Sequence, residues 1–562
     1  MLNIISKLFT SILTKRLQQW AEDNRKICVE QAGFRAEHST TDHIFTLHAM
    51  ILKNVFGGGR GKLYVAFIDF QKAFDSVNRS CLWGVLGKAG VSTKLIKMLQ
   101  AIYSRVEACV RWDLELSEFF ECPAGVRQGA KESPTIFSFL MTVIADYVRE
   151  KGRHGVQLLQ DKPEIYSLIF ADDVALVSTT AVGLQNQLNS LDSVSRELGL
   201  TINRNKTKIM VFRKGGSLTH GERWTLGGTR LEVVNKYKYL GYIFTTKLSE
   251  STNLENLNVK AKQRIVSLVR FLFGIQNFNT SVFFHLFDAQ ILPVLTYGAE
   301  LWGIGRHDTI EKVQLFACKR FMSLATRTPN CFIYGELGRY PLYINTTLRA
   351  VKYWLRLCDM SADRLPKQAF LMLSNLTVKG KGNWADSLKQ CLYQLGFGYV
   401  WNNGGTRNEI GFIKCLKERL RDCFLQEWHG KLNDSERFLM YRSFKKSFET
   451  EQYINELKIK KFRDSFIRLR LGVNELNVNR WFEKDRTLKC PFCVNNVENE
   501  KHFFIDCPLY EDLRQKYLAP YLHIAKLRNI GYLLDGRDIS MLRNVSMFIH
   551  YALKMRNEEI CI

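Results

Sequence analysis

Acidic residues are scarce in this chain. Its 562 residues hold 55 Asp and Glu against 80 Lys and Arg, a net charge of +25. Such a deficit suits a polyanionic partner such as nucleic acid, although a solvated basic surface gives the same count. Long apolar runs are also missing. The longest candidate, "SVFFHLFDAQILPVLTYGAELWG", is interrupted by Asp288, Pro293 and Glu300, which leaves runs too short to span a bilayer. The 14 cysteines lack the dense spacing of a secreted disulfide framework, so a reducing compartment is expected, nuclear or cytoplasmic. There is no internal repeat and no low-complexity tract. The basic, amphipathic start, "MLNIISKLFTSILTKRLQQW", could mimic an organelle presequence. It continues without a break into "AEDNRKICVEQAGFR" and reads better as a helix of a folded domain.

What is present alternates short β-rich runs with helical patterns through the first half. "KLYVAFIDF" (62–70) reads as a buried strand. "SPTIFSFLMTVIADYVRE" reads as a helix with Ser133 as N-cap and Pro134 at the first helical position. "EIYSLIFA" and "VALVS" read as strands flanking a tight turn that holds the aspartates. "VGLQNQLNSLDSVSRELGL" is an amphipathic helix ending near Gly199, and "KYKYLGYIF" a further strand pair. From about residue 255 the pattern turns helical. There Lys260, Lys262, Arg264 and Arg270 line either a solvated face or a helix that follows a phosphate backbone. Residues 336–470 are helical without a readable motif.

The chemistry concentrates on carboxylates. Asp172 and Asp173 stand together inside the apolar "SLIFADDVALVS", and Asp69 ends the strand pattern 62–70. Buried adjacent carboxylates are costly unless a cation meets them. If the two strands are neighbours, three carboxylates converge. Oxygen-only donors favour Mg²⁺ or Mn²⁺, and two such ions suit in-line phosphoryl transfer. A solvated hairpin tip is the alternative for the aspartate pair, but such a tip needs no apolar flanks. "AGVRQGAKESPTIF" adds a glycine-bracketed basic turn with Gln128 and Gly129, and Lys206 precedes a further strand. "GGGRGK" (57–62) lacks the spacing of a phosphate loop, since Leu63 stands where Ser or Thr is needed. "KIKKFR" (458–463) reads as a solvated face rather than a nuclear-entry signal.

In order, "QAGFRAEHSTTDHIF", "FIDFQKAFDSV", "GVRQGAKESPTIF", "FADD", "LGLTINRNKTK" and "YKYLGYIF" resemble the motifs of reverse transcriptases of LINE-type (non-LTR) retrotransposons. "ILPVLTYGAELW" is similar to their thumb region, and the match spans nearly all of residues 1–330. The resemblance implies an α+β right-hand polymerase with a helical C-terminal region. Its domains would be partial fingers at 1–62, palm at 63–250, thumb at 251–335, a helical connection at 336–470 and a C-terminal region at 471–562.

It also implies roles. Asp69 and Asp172 would bind two Mg²⁺, assisted by Asp173 and the Phe70 carbonyl. Phe74 would be the steric gate that excludes a ribose 2′-hydroxyl. Gln128 and Gly129 would shape the nucleotide and template pocket, and Arg35 would contact the triphosphate. Lys206 would protonate the leaving pyrophosphate, and Tyr239, Leu240, Gly241 and Tyr242 would grip the primer. The partners would be an RNA template, a DNA primer or target, and dNTP. At one point the sequence departs from the family: Glu132 stands where Leu is usual, with Lys131 beside it as an ion-pair partner. The resemblance further implies a basic fingers motif upstream of "NIISKLF" and an endonuclease. Neither is visible here, so an N-terminal truncation is expected. A silent, nucleic-acid-binding retroelement product is the alternative reading; an RNA-synthesising polymerase conflicts with Phe74.

Near the end, Cys490, Cys493, His502 and Cys507 follow the spacing C-x2-C-x8-H-x4-C. Three thiolates and an imidazole close a tetrahedral structural Zn²⁺ site. With Phe492, Phe503, Lys489 and Lys501 nearby, this knuckle is expected to contact nucleic acid.

Overall fold

The computed structural model describes residues 4–57, 61–113, 115–273, 280–378, 382–434, 438–479, 487–493, 496–528 and 530–560. "GGGRGK" therefore lies partly outside the described residues. The chain divides into two compact units. The first comprises residues 1–253, 300–302 and 351–406, and the second 254–299, 303–350 and 407–562. The segment expected as one connection, 336–470, is shared between both.

The first unit is α+β. It opens with helix α1 (Ile4–Asp23) and helix α2 (Thr40–Ile51), then strand β1 (Leu63–Ile68). All six side chains of β1 are buried, as a strand covered on both faces requires. Helix α3 (Glu132–Lys151) follows, then β2 (Ser167–Phe170), β3 (Asp173–Ser178), helix α4 (Ala181–Glu197), β4 (Lys208–Phe212) and β5 (Glu232–Val233). The sheet order is β5-β4-β1-β3-β2, with β1 antiparallel to both β3 and β4. Strands β6 (Lys236–Tyr239) and β7 (Tyr242–Thr245) form a separate hairpin. One face of β1 (Tyr64, Ala66, Ile68) shares its core with Ile136, Phe137 and Leu140 of α3 and Leu184, Leu188 and Leu191 of α4.

Two local expectations are corrected. Helix α3 begins at Glu132 with Lys131 as N-cap, so Ser133 is not the cap. The Ser133 hydroxyl instead donates to the Arg127 carbonyl at 2.7 Å and meets the Tyr103 hydroxyl at 2.9 Å, which closes the preceding turn onto the helix. Lys131 and Glu132 form no ion pair among the described residues. Lys131 is exposed, while Glu132 is fully buried with neither carboxylate oxygen hydrogen-bonded.

Residues 351–406 are tied into the first unit through a buried charge on α2. Asp42 accepts from Arg356 Nη2 at 2.7 Å, Arg364 Nη2 at 3.2 Å and the Tyr353 hydroxyl at 3.2 Å. Its carboxylate also caps its own helix through the Ser39 N–H at 3.1 Å. A buried carboxylate is tolerated at this price only when its oxygens are saturated. Asp42→Ala should therefore cost about 3–5 kcal/mol by stranding two guanidinium groups. Chemical denaturation of the full chain, followed by circular dichroism, measures it; a loss under about 1 kcal/mol would place the cluster in the range of an exposed pair.

The second unit is mainly helical and closes on helix α5 (Ile539–Ile560). Its interior also buries charge. Arg470, fully enclosed, donates to Glu336 at 3.0 Å and to Glu451 at 2.8 Å.

Candidate active site and metal cluster

The β2–β3 hairpin reverses over Ala171 and Asp172, because Phe170 pairs with Asp173. Ala171 has φ +57°, a left-handed value that costs a side-chain-bearing residue about 1 kcal/mol. Buried Leu168, Ile169, Val174 and Ala175 hold the flanking strands, so the turn is fixed at one end of the sheet. On the neighbouring strand Ile68 lies opposite Val174. One residue further on, Asp69 leaves β1 beside Asp173, which opens β3.

The backbone of Asp69 is held from both sides. Its carbonyl accepts from the Asn203 N–H at 2.7 Å, and its N–H donates to the Thr207 hydroxyl at 3.3 Å. Lys206, on the same loop and 72% exposed, brings Nζ to 4.0 Å from an Asp69 oxygen.

The carboxylates feel one another. Asp173 is pushed up to about 6, first by partial removal from water and then by the charges of Asp172 and Asp69. Asp172 is raised by burial and by Asp69. Both shifts mean that burial and the neighbouring carboxylates disfavour the ionised forms of Asp172 and Asp173. An all-oxygen donor set fits hard divalent cations such as Mg²⁺ or Mn²⁺.

Around this centre the other residues singled out in the sequence take defined places. Phe74 stacks on Phe137 of α3 (4.5 Å between centroids) and meets the edge of Phe34 at 6.2 Å, so its ring is locked between two others. The segment after it is stitched to the glycine-bracketed turn: Val126 N–H donates to the Phe74 carbonyl at 2.7 Å and Gly125 N–H to the Val77 carbonyl at 2.9 Å. A Cβ at Gly125 would sit 2.6 Å from the Asp75 carbonyl oxygen, so only glycine permits this approach. Gln128 donates from Nε2 to Asp75 at 2.8 Å, and Gly129 has φ +80° with open space around it. Phe70 forms a bridge with Ile202 directly after Asp69.

The β6–β7 hairpin turns at Leu240 and Gly241, both at positive φ, as a type I′ turn requires. Phe67, two residues before Asp69 and therefore on the same face, stacks on Tyr237 at 4.2 Å and lies 5.3 Å from Tyr239. The Tyr239 hydroxyl is buried without a hydrogen-bond partner among the described residues, and the pKa of Tyr239 is raised by burial and by Asp173. Tyr242 is buried beside Phe244.

Arg35 is occupied differently. Only 14% of its side chain is exposed; it pairs with Glu22 of α1 at 2.7 Å and donates to the Cys28 and Gln31 carbonyls, each at 2.9 Å. These bonds engage most of its donors in tying the segment 28–35 to α1.

Four residues that the sequence did not single out also serve this site. Asn203 and Thr207 hold Asp69, while Gln31 and His43 contact the hairpin that carries Asp172. All act through backbone groups of distant segments, which leaves no periodic or charged signal.

In the second unit, one ligand atom from each of Cys490, Cys493, His502 and Cys507 lies within 4.8 Å of all the others. The Cys493 and Cys507 sulfurs are 3.7 Å apart, and His502 Nε2 is buried without a hydrogen-bond partner among the described residues. An unpartnered imidazole nitrogen facing three thiols fits a tetrahedral metal ion. Burial pushes the Cys507 thiol up to about 12 and lowers His502, which favours the neutral side chains until a cation draws out thiolates. Glu498 locks this loop in place: it accepts from Asn477 N–H at 2.7 Å and from Arg556 of α5 at 2.6 and 2.8 Å.

Residues 1–244 match the family model described as reverse transcriptase (RNA-dependent DNA polymerase). The RNA-directed DNA polymerase from mobile element jockey of Drosophila funebris is 24% identical over 57% of this chain and 34% of its own length. A putative 115 kDa protein in the type-1 retrotransposable element R1DM of Drosophila melanogaster is 24% identical over 92% of this chain and 45% of its own. The chain thus spans between a third and a half of the length of these relatives. Among solved structures, a telomerase from Candida albicans is similar at TM-score 0.34 and 13% identity, covering 69% of this chain and 58% of that one. Among the described residues no helix is long and apolar enough to cross a membrane.

Proposed function

Residues 1–244 belong to the reverse transcriptase family, and on that premise we propose that this chain copies an RNA template into DNA as the polymerase of a non-LTR retrotransposon. The observation that carries the reading is the meeting of Asp69, Asp172 and Asp173 at one end of a buried antiparallel sheet, where burial and mutual repulsion raise the pKa of Asp173. These carboxylates, with the Phe70 carbonyl, would hold two Mg²⁺ or Mn²⁺ ions. Such ions, when bound, acidify an attacking hydroxyl and neutralise charge on a leaving oxygen.

The chain's own residues then divide the work. The primer 3′-hydroxyl attacks the α-phosphate of a dNTP seated over the carboxylates. Lys206, beside Asp69 on a solvated loop, is placed to give a proton to the leaving pyrophosphate. The Tyr239–Tyr242 hairpin, stacked on the Asp69 face through Phe67, supports the primer end. Gln128 and Gly129 border the template and nucleotide, and Arg35 supports the fingers rim from which a triphosphate would be met. Residues 1–62 would be fingers, 63–250 palm, 251–335 thumb, 336–470 the connection and 471–562 the C-terminal region, where Cys490, Cys493, His502 and Cys507 would hold Zn²⁺. This reading places the protein in the nucleus or cytoplasm. The intact carboxylates favour an enzyme over a silent nucleic-acid binder.

Phe74 decides which sugar is accepted. Its ring stacks on Phe137 and meets the edge of Phe34, and a 2′-hydroxyl forced against it costs about 1–3 kcal/mol. Phe74→Val should raise ribonucleotide relative to deoxyribonucleotide incorporation by about 10- to 100-fold. Primer extension on an RNA template, with dNTP and rNTP supplied separately, tests both claims. Failure of the wild-type chain to extend under Mg²⁺ and Mn²⁺ would leave the silent binder standing.

A further inference from the structure

The hairpin that carries Asp172 does not stand on its own strands alone. Residues 30–33, Glu30 and the start of "QAGFR", run alongside β2 through a single parallel bridge. Gln31 bridges Ile169 in parallel, Ile169 N–H donates to the Glu30 carbonyl at 2.8 Å, and Ala32 N–H donates to the Ile169 carbonyl at 2.9 Å. The Gln31 side chain is fully buried, and its Oε1 accepts from Gly33 N–H at 2.9 Å and from Ala171 N–H at 3.2 Å. Ala171 is the turn residue at φ +57°, and its N–H lies outside the β2–β3 ladder. Its acceptor therefore has to come from elsewhere. Gly33 completes the contact, since a Cβ there would collide with Ala171 N.

From the other side His43 of α2 directs Nε2 at the Glu30 carbonyl (2.9 Å) and the Ile169 carbonyl (2.8 Å). The Gln31 Nε2 is left buried with no hydrogen-bond partner among the described residues. An unpaired buried donor is destabilising. The side chain keeps this pose because Oε1 has two donors to meet.

We propose that Gln31 is a positioning residue: through Ala171 N–H it fixes the strained turn that aims Asp172 at the metal-binding centre. The inference rests on the polymerase reading above. Catalytic geometry has to be held within about 0.5 Å, and a turn with one unanchored N–H is free to rotate its carboxylate out of register.

The test uses the full chain and two kinds of readout, with thermal unfolding to confirm the fold. Gln31→Leu removes the acceptor at similar volume. Gln31→Glu keeps an oxygen between the same two N–H donors, which stabilise a carboxylate as well as an amide. For Gln31→Leu, Mn²⁺ affinity measured by electron paramagnetic resonance should fall about tenfold, and half-saturating Mg²⁺ in primer extension should rise by the same factor. Primer–template affinity should stay unchanged, and Gln31→Glu should return to within about threefold of wild type. Wild-type Mn²⁺ affinity in Gln31→Leu, or equal impairment in both variants, overturns the proposal.

If Gln31→Leu does not fold, Gly33→Ala displaces the same turn while keeping the Gln31 side chain and should give the same metal shift; no shift overturns the proposal. A wild-type chain that binds Mn²⁺ but never extends primers, with the shift still present in Gln31→Leu, refutes the polymerase reading and leaves the positioning role intact.

Discussion

Asp172→Asn and Asp69→Asn should each reduce primer extension by at least about a thousandfold, the scale of several kcal/mol of lost charge stabilisation. Asparagine keeps the shape of the side chain and removes only its charge, so sheet and hairpin persist. Primer–template affinity should change by less than about twofold, because it draws on many phosphate contacts rather than on one acidic centre. A net charge of +25 leaves many basic groups for such contacts. Fluorescence anisotropy and extension assays on the same preparations separate the two effects. Loss of binding together with activity would mean that the carboxylates hold the fold instead.

A second result is expected without nucleic acid. Burial and the neighbouring carboxylates raise the pKa of Asp172 and Asp173, so their charged forms are disfavoured in the absence of a cation. Asp172→Asn should therefore melt at a higher temperature than wild type in metal-free buffer. A saturating divalent ion should narrow or reverse that difference, since it stabilises only the charged cluster.

If Cys490, Cys493, His502 and Cys507 hold Zn²⁺ as proposed, its removal should have an effect as large, but on structure. A structural Zn²⁺ in a four-ligand site contributes about 10–16 kcal/mol of apparent binding energy, and that energy is folding energy. Cys490, His502 and Cys507 are buried, with Cys493 at the edge. Stripped of a cation, the site leaves three thiols and an unpartnered imidazole in a small volume. Glu498, the residue that joins this loop to Arg556 of α5, would then have a partner on only one ordered side. The intact chain should bind one Zn²⁺ by elemental analysis. A strong chelator, or Cys507→Ser, should release it and open residues 487–510 to limited proteolysis. Retention of full protease resistance after verified metal loss would show that hydrogen bonds and apolar packing suffice here.

Much of the candidate site was legible because its signals are local. Six buried side chains in "LYVAFI" fix a central strand, and a two-residue reversal in "FADD" fixes a hairpin. Gly241 suits the positive φ of the β6–β7 turn, and Gly125 and Gly129 mark backbone that a side chain would block or strain. Each is set by periodicity or by dihedral preference over fewer than about ten residues.

The sequence by itself determined the elements, the motif order and the chemistry that three carboxylates demand. Tertiary structure decided which groups hold that chemistry in place. Ser133 has the composition of a cap, yet its hydroxyl closes the Arg127 turn and the helix starts two residues earlier than that cap would set it. Glu132 has a lysine beside it in sequence and no ion pair with it in space. Arg35 spends its donors on Glu22 and two carbonyls. Asp42 meets Arg356 and Arg364 from more than 300 positions away, and Gln31 meets Ala171 from 140. Adjacency along a chain fixes local dihedrals and caps, whereas the partner of a buried polar group is whatever the packed core brings to it.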